Sequence, residues 1–401
     1  MKGEAAILTL NAGSSSLKFA LFDITGCEPV RQVYGGLFEL DSRPHFTVFD
    51  TDDKPLFEAQ PDSPGHEAAI AYLLDWLARK YPDIPIIASG HRVVHGGSSF
   101  ETPVLIDASI LQLLRQYIPL APLHMPHNLA AIEILHKQRP GLPQVACFDT
   151  AFHRTMTRQE QGYALPRQWF DQGLRRYGFH GLSYEYIASV LPRYLGEAGE
   201  GRVIVAHLGH GASLCAMHKR RSVATTMGFT PLDGIPMATR PGELDPGAIT
   251  WLMREQHLSV SEVDDLLNHH SGLLGLSGIS GDMHQLLASD QPEAAAAIDY
   301  FVHHTQRAIG SLAAVLGGLD ALVFTAGIGE NAPAIRERIC HQSAWLGIQL
   351  DSEANRESRP RISPPDSAVS VWRIPTNEEL IIARHTAALQ SAGLPERSHH
   401  D

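Results

Sequence analysis

Three runs of the 401-residue chain set glycine among small or polar residues directly after an apolar strand. They are "NAGSSS" (11–16), "HLGHGAS" (207–213) and "AGIGEN" (326–331). Glycine lets the backbone approach closely, and successive N–H groups with neighbouring hydroxyls make a concave seat for an anion. None of the three matches a P-loop or a dinucleotide fingerprint, which need a helix directly after the glycines; the first two turns run into strands. Taken singly, each reads as a plain hairpin turn. Three on neighbouring strands favour phosphate.

Cations and carboxylates stand near the same kind of strand end. "GHRVVHGG" (90–97), "RRYGFHG" (175–181) and "MATRPGELDP" (237–246) put Arg or His beside glycine. Arg240 precedes Pro-Gly, which fixes the loop and frees the guanidinium. Arg175 and Arg176 read as surface ion pairs, whereas Arg92, in an apolar strand, demands an anionic partner. His180 lies in a loop-like run where imidazole can donate to an oxyanion. The pairs in "HRVVH" and "HMPH" lack helical zinc geometry, the first being strand and the second interrupted by Pro126. Asp149 ends a strand and either caps the next turn or serves the site. In "PTNEEL", Thr376 and Glu379 match a capping box, which leaves Glu378 open to Mg²⁺, directly or through water. Anion seats, two guanidiniums, a histidine and a Mg²⁺-type carboxylate describe phosphoryl transfer, a reaction of positioning and charge neutralisation.

The elements that must carry these residues follow from pattern. Strands are expected at "AAILTLNA", "SLKFALFD", "RQVYGGLFEL" and "PHFTVFD", and a helix over "GHEAAIAYLLDWLARKYP" with its apolar residues at helical spacing. Strand–turn–strand recurs over Val203–Met217, followed by "RSVATTMG", an amphipathic helix Ala297–Leu316 and the strand "ALVFTAGIGEN". The recurrence implies duplicated α/β halves, and the length two domains. A net charge of −12 argues against nucleic acid, and no apolar run approaches the ~18 residues that cross a bilayer. Cys27, Cys147, Cys215 and Cys340 are scattered, as free thiols in a reducing cytoplasm would be.

"TLNAGSSSLKFALFD", "GHRVVHGG", "PLHMPHNL", "FDTAFH", "RRYGFHG", "TPLDG", "TAGIGEN" and "PTNEEL" occur in order over about residues 7–385. This set resembles the motifs of the acetate kinase family, including its propionate kinases. The resemblance implies an α/β fold of two duplicated actin-like domains around a central cleft, in the acetate and sugar kinase, Hsp70 and actin superfamily with its ribonuclease H-like cores. The domains would be 1–150 with 383–401, and 151–382, the latter binding nucleotide. It implies reversible Mg²⁺-dependent transfer from ATP to acetate, giving acetyl phosphate and ADP, with Mn²⁺ as a substitute metal. Asn11 and Glu378 would hold the metal. Asp149, Arg92, His180 and Arg240 would be catalytic; a carboxylic acid already ionised at pH 7 argues against Asp149 as a simple general base and for its orienting Arg92 or a proton-linked water. Arg92 and His124 would bind the acyl substrate, with Val94, Leu123, Phe179 and Pro231 around its methyl. Lys18, Ser14 and Ser16 would face the nucleotide, as would His207, Leu208, Gly209, His210 and Gly211. Asp282, Met283 and His284 would join them, together with Gly327, Ile328, Gly329, Glu330 and Asn331. A cytoplasmic homodimer is expected on the same ground.

The chain departs from the family's usual pattern at His210 (usually Asn), His284 (often Arg), Tyr184 (commonly His) and Pro241 (usually Ser). His210 predicts donor affinity that rises as pH falls towards about 6.5, the ordinary imidazole value. His284 predicts looser nucleotide recognition, since a guanidinium stacks on a base and this side chain lacks one. Alternatives are a propionate or other short-chain carboxylate kinase, a relative with another phosphoryl donor such as pyrophosphate, and an actin- or Hsp70-like ATP-binding protein.

Overall fold

The computed structural model describes residues 5–24, 28–38, 40, 43–52 and 54–392. Cys27 lies outside them; Cys147, Cys215 and Cys340 are buried free thiols. The chain divides into two compact units, Met1–Ala151 with Asn377–Asp401, and Phe152–Thr376.

The first unit is built on an eight-stranded sheet. Its strands are β1 (Ala6–Ala12), β2 (Ser16–Asp23), β3 (Val30–Phe38), β4 (His45–Phe49), β5 (Pro55–Ala59), β6 (Ile86–Val93), β7 (Val104–Leu105) and β8 (Gln144–Phe148). Their order is β5-β4-β3-β2-β1-β6-β8-β7, with β1, β6 and β8 parallel neighbours. β1 and β2 form the expected hairpin, in which Asn11 faces Lys18. On one face the helix His66–Lys80 sends Ile70, Leu73 and Trp76 into a core with Leu8, Leu10, Phe19 and Phe46. Burying side chains of this size contributes ~1.5–3 kcal/mol each. On the other face lies the helix Glu378–Ala392, over Ile7, Phe22 and Ala88. It seats on β6 at Gly90, where a Cβ would come within 2.4 Å of Ile382 and 2.3 Å of Thr386. Only glycine lets the two backbones approach so closely.

The second unit repeats the plan with β9 (Arg202–Leu208), β10 (Ala212–His218), β11 (Arg221–Thr225), β12 (Ala321–Thr325) and β13 (Ser370–Arg373). The order β11-β10-β9-β12-β13 matches β3-β2-β1-β6-β8, antiparallel in the first three strands and parallel in the last three. Helix Gly181–Leu195 packs Tyr184, Ile187 and Leu191 on Val203, Val205, Cys215 and Val323. Helix Pro292–Leu316 packs against β9, β10 and β11, and starts five residues before the expected Ala297.

Three expectations are corrected. "AGIGEN" is not a turn but the short helix Ala326–Asn331. Pro126 does not break up "HMPH": it sits in the first turn of helix Met125–Gln138, where its missing N–H has no helical partner to lose. The cap of helix Glu378–Ala392 is Asn377, whose Oδ1 accepts the Leu380 amide at 3.0 Å, and not Thr376 with Glu379. Thr376 instead pairs its hydroxyl with Ser183 and donates its amide to Glu330.

Candidate active site

Because β1, β6 and β8 run parallel side by side, their C-terminal ends share one edge of the sheet, the place where open α/β sheets bind ligands. That edge collects Asn11, Arg92 and Asp149. Arg92 Nε donates to both Asp149 carboxylate oxygens at 3.1 Å, Nη2 donates to Oδ2 at 2.6 Å, and Nη1 donates to Asn11 Oδ1 at 3.2 Å. Asp149 is 1 % exposed and Arg92 22 %. The carboxylate is therefore spent on the guanidinium, while one N–H on each Nη remains for a ligand. Burial opposes the charge on Arg92, but Asp149, Glu378 and Glu379 outweigh it and keep the guanidinium protonated.

Glu378 opens its helix beside this pair. Burial pushes its carboxyl up, Arg92 pulls it down, Asp149 and Glu379 push it up again, and Lys18 pulls it down; the result is about 7. A carboxylate crowded by negative charge in this way is relieved by a divalent cation. Among the described residues no group of three or more His, Cys, Asp or Glu could cage a metal. Mg²⁺ needs no cage when one or two protein oxygens are completed by phosphate oxygens and water, so Asn11 and Glu378 fit it. Asn128, one turn into helix Met125–Gln138, accepts the Val94 amide and donates to the Ala12 carbonyl. It thereby fixes the ends of β6 and β1 beside His124 and Leu123, which stand at that helix's start.

In the second unit the corresponding edge is rich in imidazoles and hydroxyls, with the Arg240 guanidinium beside them. His180 sits in left-handed backbone (φ 58°, ψ 24°) at the start of helix Gly181–Leu195, a conformation that costs a non-glycine residue ~1–3 kcal/mol. Its ring is held by stacking on His207 at 4.2 Å and by Ser213 Oγ at 2.9 Å from Nδ1. Ser213 also meets Tyr184 Oη at 2.6 Å. One serine proton cannot serve both neighbours. With Tyr184 donating to Ser213 and Ser213 to Nδ1, the His180 proton rests on Nε2. That nitrogen and Arg240 Nη2 converge at Gly211, where a Cβ would stand 3.2 and 2.8 Å from them. Arg240 is aimed by donating Nη1 to the Pro231 carbonyl at 2.8 Å. Buried His153 is held neutral, its pKa lowered to about 4 by burial, so Nε2–H donates to the Phe179 carbonyl.

A cavity of about 470 Å³ gathers Gly209, His210, Asp282, Met283, His284, Gly327, Ile328 and Asn331. Thr239, Gly281, Leu287 and Ala332 complete its lining, and sequence reasoning missed them; only Gly281, beside Asp282, carried a signal. Glu330 does not line it: its carboxylate accepts the Ala326 and Thr376 amides and so closes the short helix on itself. Leu208 and Gly329 are buried in the framework. Lys18, Ser14 and Ser16 belong to the first unit, on the β1–β2 hairpin. His210 has its pKa lowered, chiefly by burial and then by Arg240, with Asp282 opposing. The expected gain of charge is therefore moved to lower pH than an ordinary imidazole would show.

The model of the acetokinase family matches residues 6–384. The chain belongs to the acetokinase family. It is 53 % identical over 394 residues to the acetate kinase of Rhodopseudomonas palustris, covering 96 % of this chain and 99 % of the relative. Among solved structures, the acetate kinase of Porphyromonas gingivalis is 35 % identical with a TM-score of 0.85, and a propionate kinase of Francisella tularensis is 37 % identical with a TM-score of 0.89. Each match covers 96 % of this chain and 99 % of the other. The fold is accordingly the two-domain actin-like α/β fold, and the family's enzymes are phosphotransferases with a carboxyl acceptor that generally use ATP and Mg²⁺. No helix among the described residues is long and apolar enough to cross a membrane.

Proposed function

We propose that the chain catalyses reversible phosphoryl transfer between ATP and the carboxylate of acetate. The observation that carries this reading is the Arg92–Asp149 pair, which leaves a guanidinium held from behind and open to an anion. A carboxylic acid is ionised at pH 7 and already nucleophilic, so no general base is required. Asp149 and Asn11 orient Arg92, and Arg92 holds the acyl anion. Val94 and Leu123 of the first unit, and Phe179 and Pro231 of the second, are the apolar residues that the family resemblance assigns to its methyl, and it assigns His124 to the acyl substrate as well. An acetate oxygen attacks the terminal phosphorus, the bond to the ADP oxygen breaks, and ADP leaves with the electron pair. Arg240 and Nε2–H of His180 take the developing charge on the equatorial oxygens. The 470 Å³ cavity takes the nucleotide, its apolar Met283, Ile328 and Leu287 being suited to a flat base. Mg²⁺, at Asn11 and Glu378, supplies charge neutralisation to the phosphate oxygens when bound.

A hydroxamate assay with acetate, ATP and Mg²⁺ tests the reading: acetyl phosphate is expected. ATP hydrolysis indifferent to acetate would overturn it in favour of an ATP-binding protein of the actin type. The likeness to a propionate kinase favours a second reading within the class, in which propionate is preferred. One methylene in an apolar pocket changes preference by about 1–3 kcal/mol, so kcat/KM for the two acids decides. The reading includes a homodimer, supported by the helix Pro246–Glu255, which has no buried residue and leaves Trp251 50 % exposed. It also includes a cytoplasmic setting, supported by the three buried free thiols.

A further inference from the structure

We propose that Arg176, with Asp233 and Tyr163, is a positioning device that sets the width of the acyl pocket and the aim of Arg240. The inference rests on the assignment of Phe179 and Pro231 to that pocket.

The loop 226–234 leaves β11, turns, and returns with Pro231 near its tip. Arg176 clasps both of its feet. A single nitrogen, Nη1, donates to the Thr226 carbonyl at 2.9 Å, the Met227 carbonyl at 3.0 Å and Asp233 Oδ2 at 3.0 Å. Tyr163 lies under the guanidinium at 5.6 Å, and its hydroxyl accepts the Phe229 amide at 2.8 Å. Packing here is tight: a Cβ on Gly228 would come within 2.4 Å of Asp233 and 2.5 Å of Tyr163. Next along the chain from the clasp, the Tyr177 amide donates to the Gly228 carbonyl at 3.0 Å, and two residues later come Phe179 and His180. One side chain therefore stands at the root of both walls, three residues before Phe179 and across from the loop of Pro231.

The same clasp reaches Arg240, because the Pro231 carbonyl is the acceptor that orients its guanidinium. The ion pair borders a cavity of about 350 Å³, and the side chains are only 22 % and 34 % exposed. In that setting Lys at 176 keeps the charge, but its stem ends one atom short of Nη1 and it has no flat guanidinium face to lie over Tyr163. Movement of the loop tip by a fraction of an ångström widens the space for a longer acyl chain. It leaves the nucleotide cavity, which neither Arg176 nor Asp233 lines, as it was.

The test compares Arg176→Lys, Tyr163→Phe and Pro231→Ala, with acetate and propionate varied at saturating ATP and ATP varied at saturating acetate. Arg176→Lys is expected to raise the acetate KM about tenfold and to lower the acetate-to-propionate ratio of kcat/KM at least threefold, in the range a small misplacement produces. The ATP KM should stay within about twofold of wild type. Tyr163→Phe should move the ratio the same way, less far, and it decides alone if Arg176→Lys does not fold. An unchanged ratio in the folded variants, or acetate and ATP KM values that rise together, overturns the proposal. Pro231→Ala separates the two failures: if it too leaves the ratio unchanged, the pocket assignment is at fault. If Pro231→Ala alone shifts the ratio, the clasp is.

Discussion

The two units share one strand plan and put opposite chemistry on it. At the ends of β1, β6 and β8 stand charges in direct contact, Arg92 on Asp149 with Glu378 close enough to be perturbed. At the matching ends in the second unit stand imidazoles paired with hydroxyls, His180 with Ser213 and His207 with Ser183. Topology fixes where a site falls; residue type decides whether that place holds an anion by charge or by oriented donors. The first arrangement ties function to stability, because its charges are buried against each other. In the second, the donors can be misaligned while the core beneath them stays intact.

That contrast breaks or stands on paired substitutions. Arg92→Ala is expected to lower kcat/KM for acetate roughly 10³-fold and to destabilise the first unit by ~3–5 kcal/mol, because it strands a buried Asp149. Steady-state kinetics and urea unfolding measure both; a variant of wild-type stability would refute the coupling. In the second unit, Gly211→Ala should lower kcat about 10–100-fold, since its Cβ displaces the tips of Arg240 and His180. The unfolding midpoint should hardly change, as those tips can move without disturbing the core. Tyr184→Phe should have the mildest effect of the three. It leaves Ser213 without its second partner, frees the His180 tautomer, and should lower kcat about tenfold with the acid limb of the pH profile shifted.

How much of this could be read before the structure differs between the units for the same reason. Arg92 in an apolar strand has to find a carboxylate, so charge made its partnership legible, and the hairpins and the helix His66–Lys80 followed from period and turn residues. Hydroxyl networks leave no such trace. Ser213, Tyr184 and His180 are far apart in sequence or sit as ordinary residues on a strand and a helix, and nothing in their spacing says that they meet. "AGIGEN" misled because six residues with two glycines carry too little periodicity to reveal a helix, and the Glu330 carboxylate that closes it turns back on its own first amide. The choice between Thr376 and Asn377 as cap was equally undetermined, both being good capping residues one position apart. The lining residues Thr239, Leu287 and Ala332 reach the cavity through loop and helix geometry that local pattern does not encode.

Buried histidines give each unit a smaller, shared test. Burial lowers the pKa of His91 in the first unit and His153 in the second to about 4. The unfolded chain takes up a proton near pH 6.5, the folded one only near 4, so stability is full above 6.5 and falls as pH drops through that window. Each histidine contributes a slope of up to ~1.4 kcal/mol per pH unit. Urea midpoints measured from pH 7 to 5 should decline accordingly, and His91→Gln should remove about half of the histidine part of the slope. Glu378, raised to about 7, takes up a proton in the folded chain over the same window and offsets part of the decline, so the comparison with His91→Gln decides: equal slopes in the two proteins would show that the His91 ring is not buried neutral.

The smallest effect expected is at His210, which lines the nucleotide cavity and whose pKa burial and Arg240 lower. A histidine at its ordinary value would gain charge near pH 6.5 and tighten its hold on phosphate through the physiological range. Burial and the neighbouring Arg240 both disfavour that charge, and Asp282 recovers only part of it. The fall in ATP KM, about threefold, should therefore begin at a lower pH than an ordinary histidine would give. Asp282→Asn removes the one attraction that favours imidazolium and should push the onset lower still, while His210→Asn should abolish it. A KM that already falls between pH 8 and 7 would mean that the ring is better solvated than its place beside Arg240 implies, and the second unit would then add a titratable charge to that of Arg240.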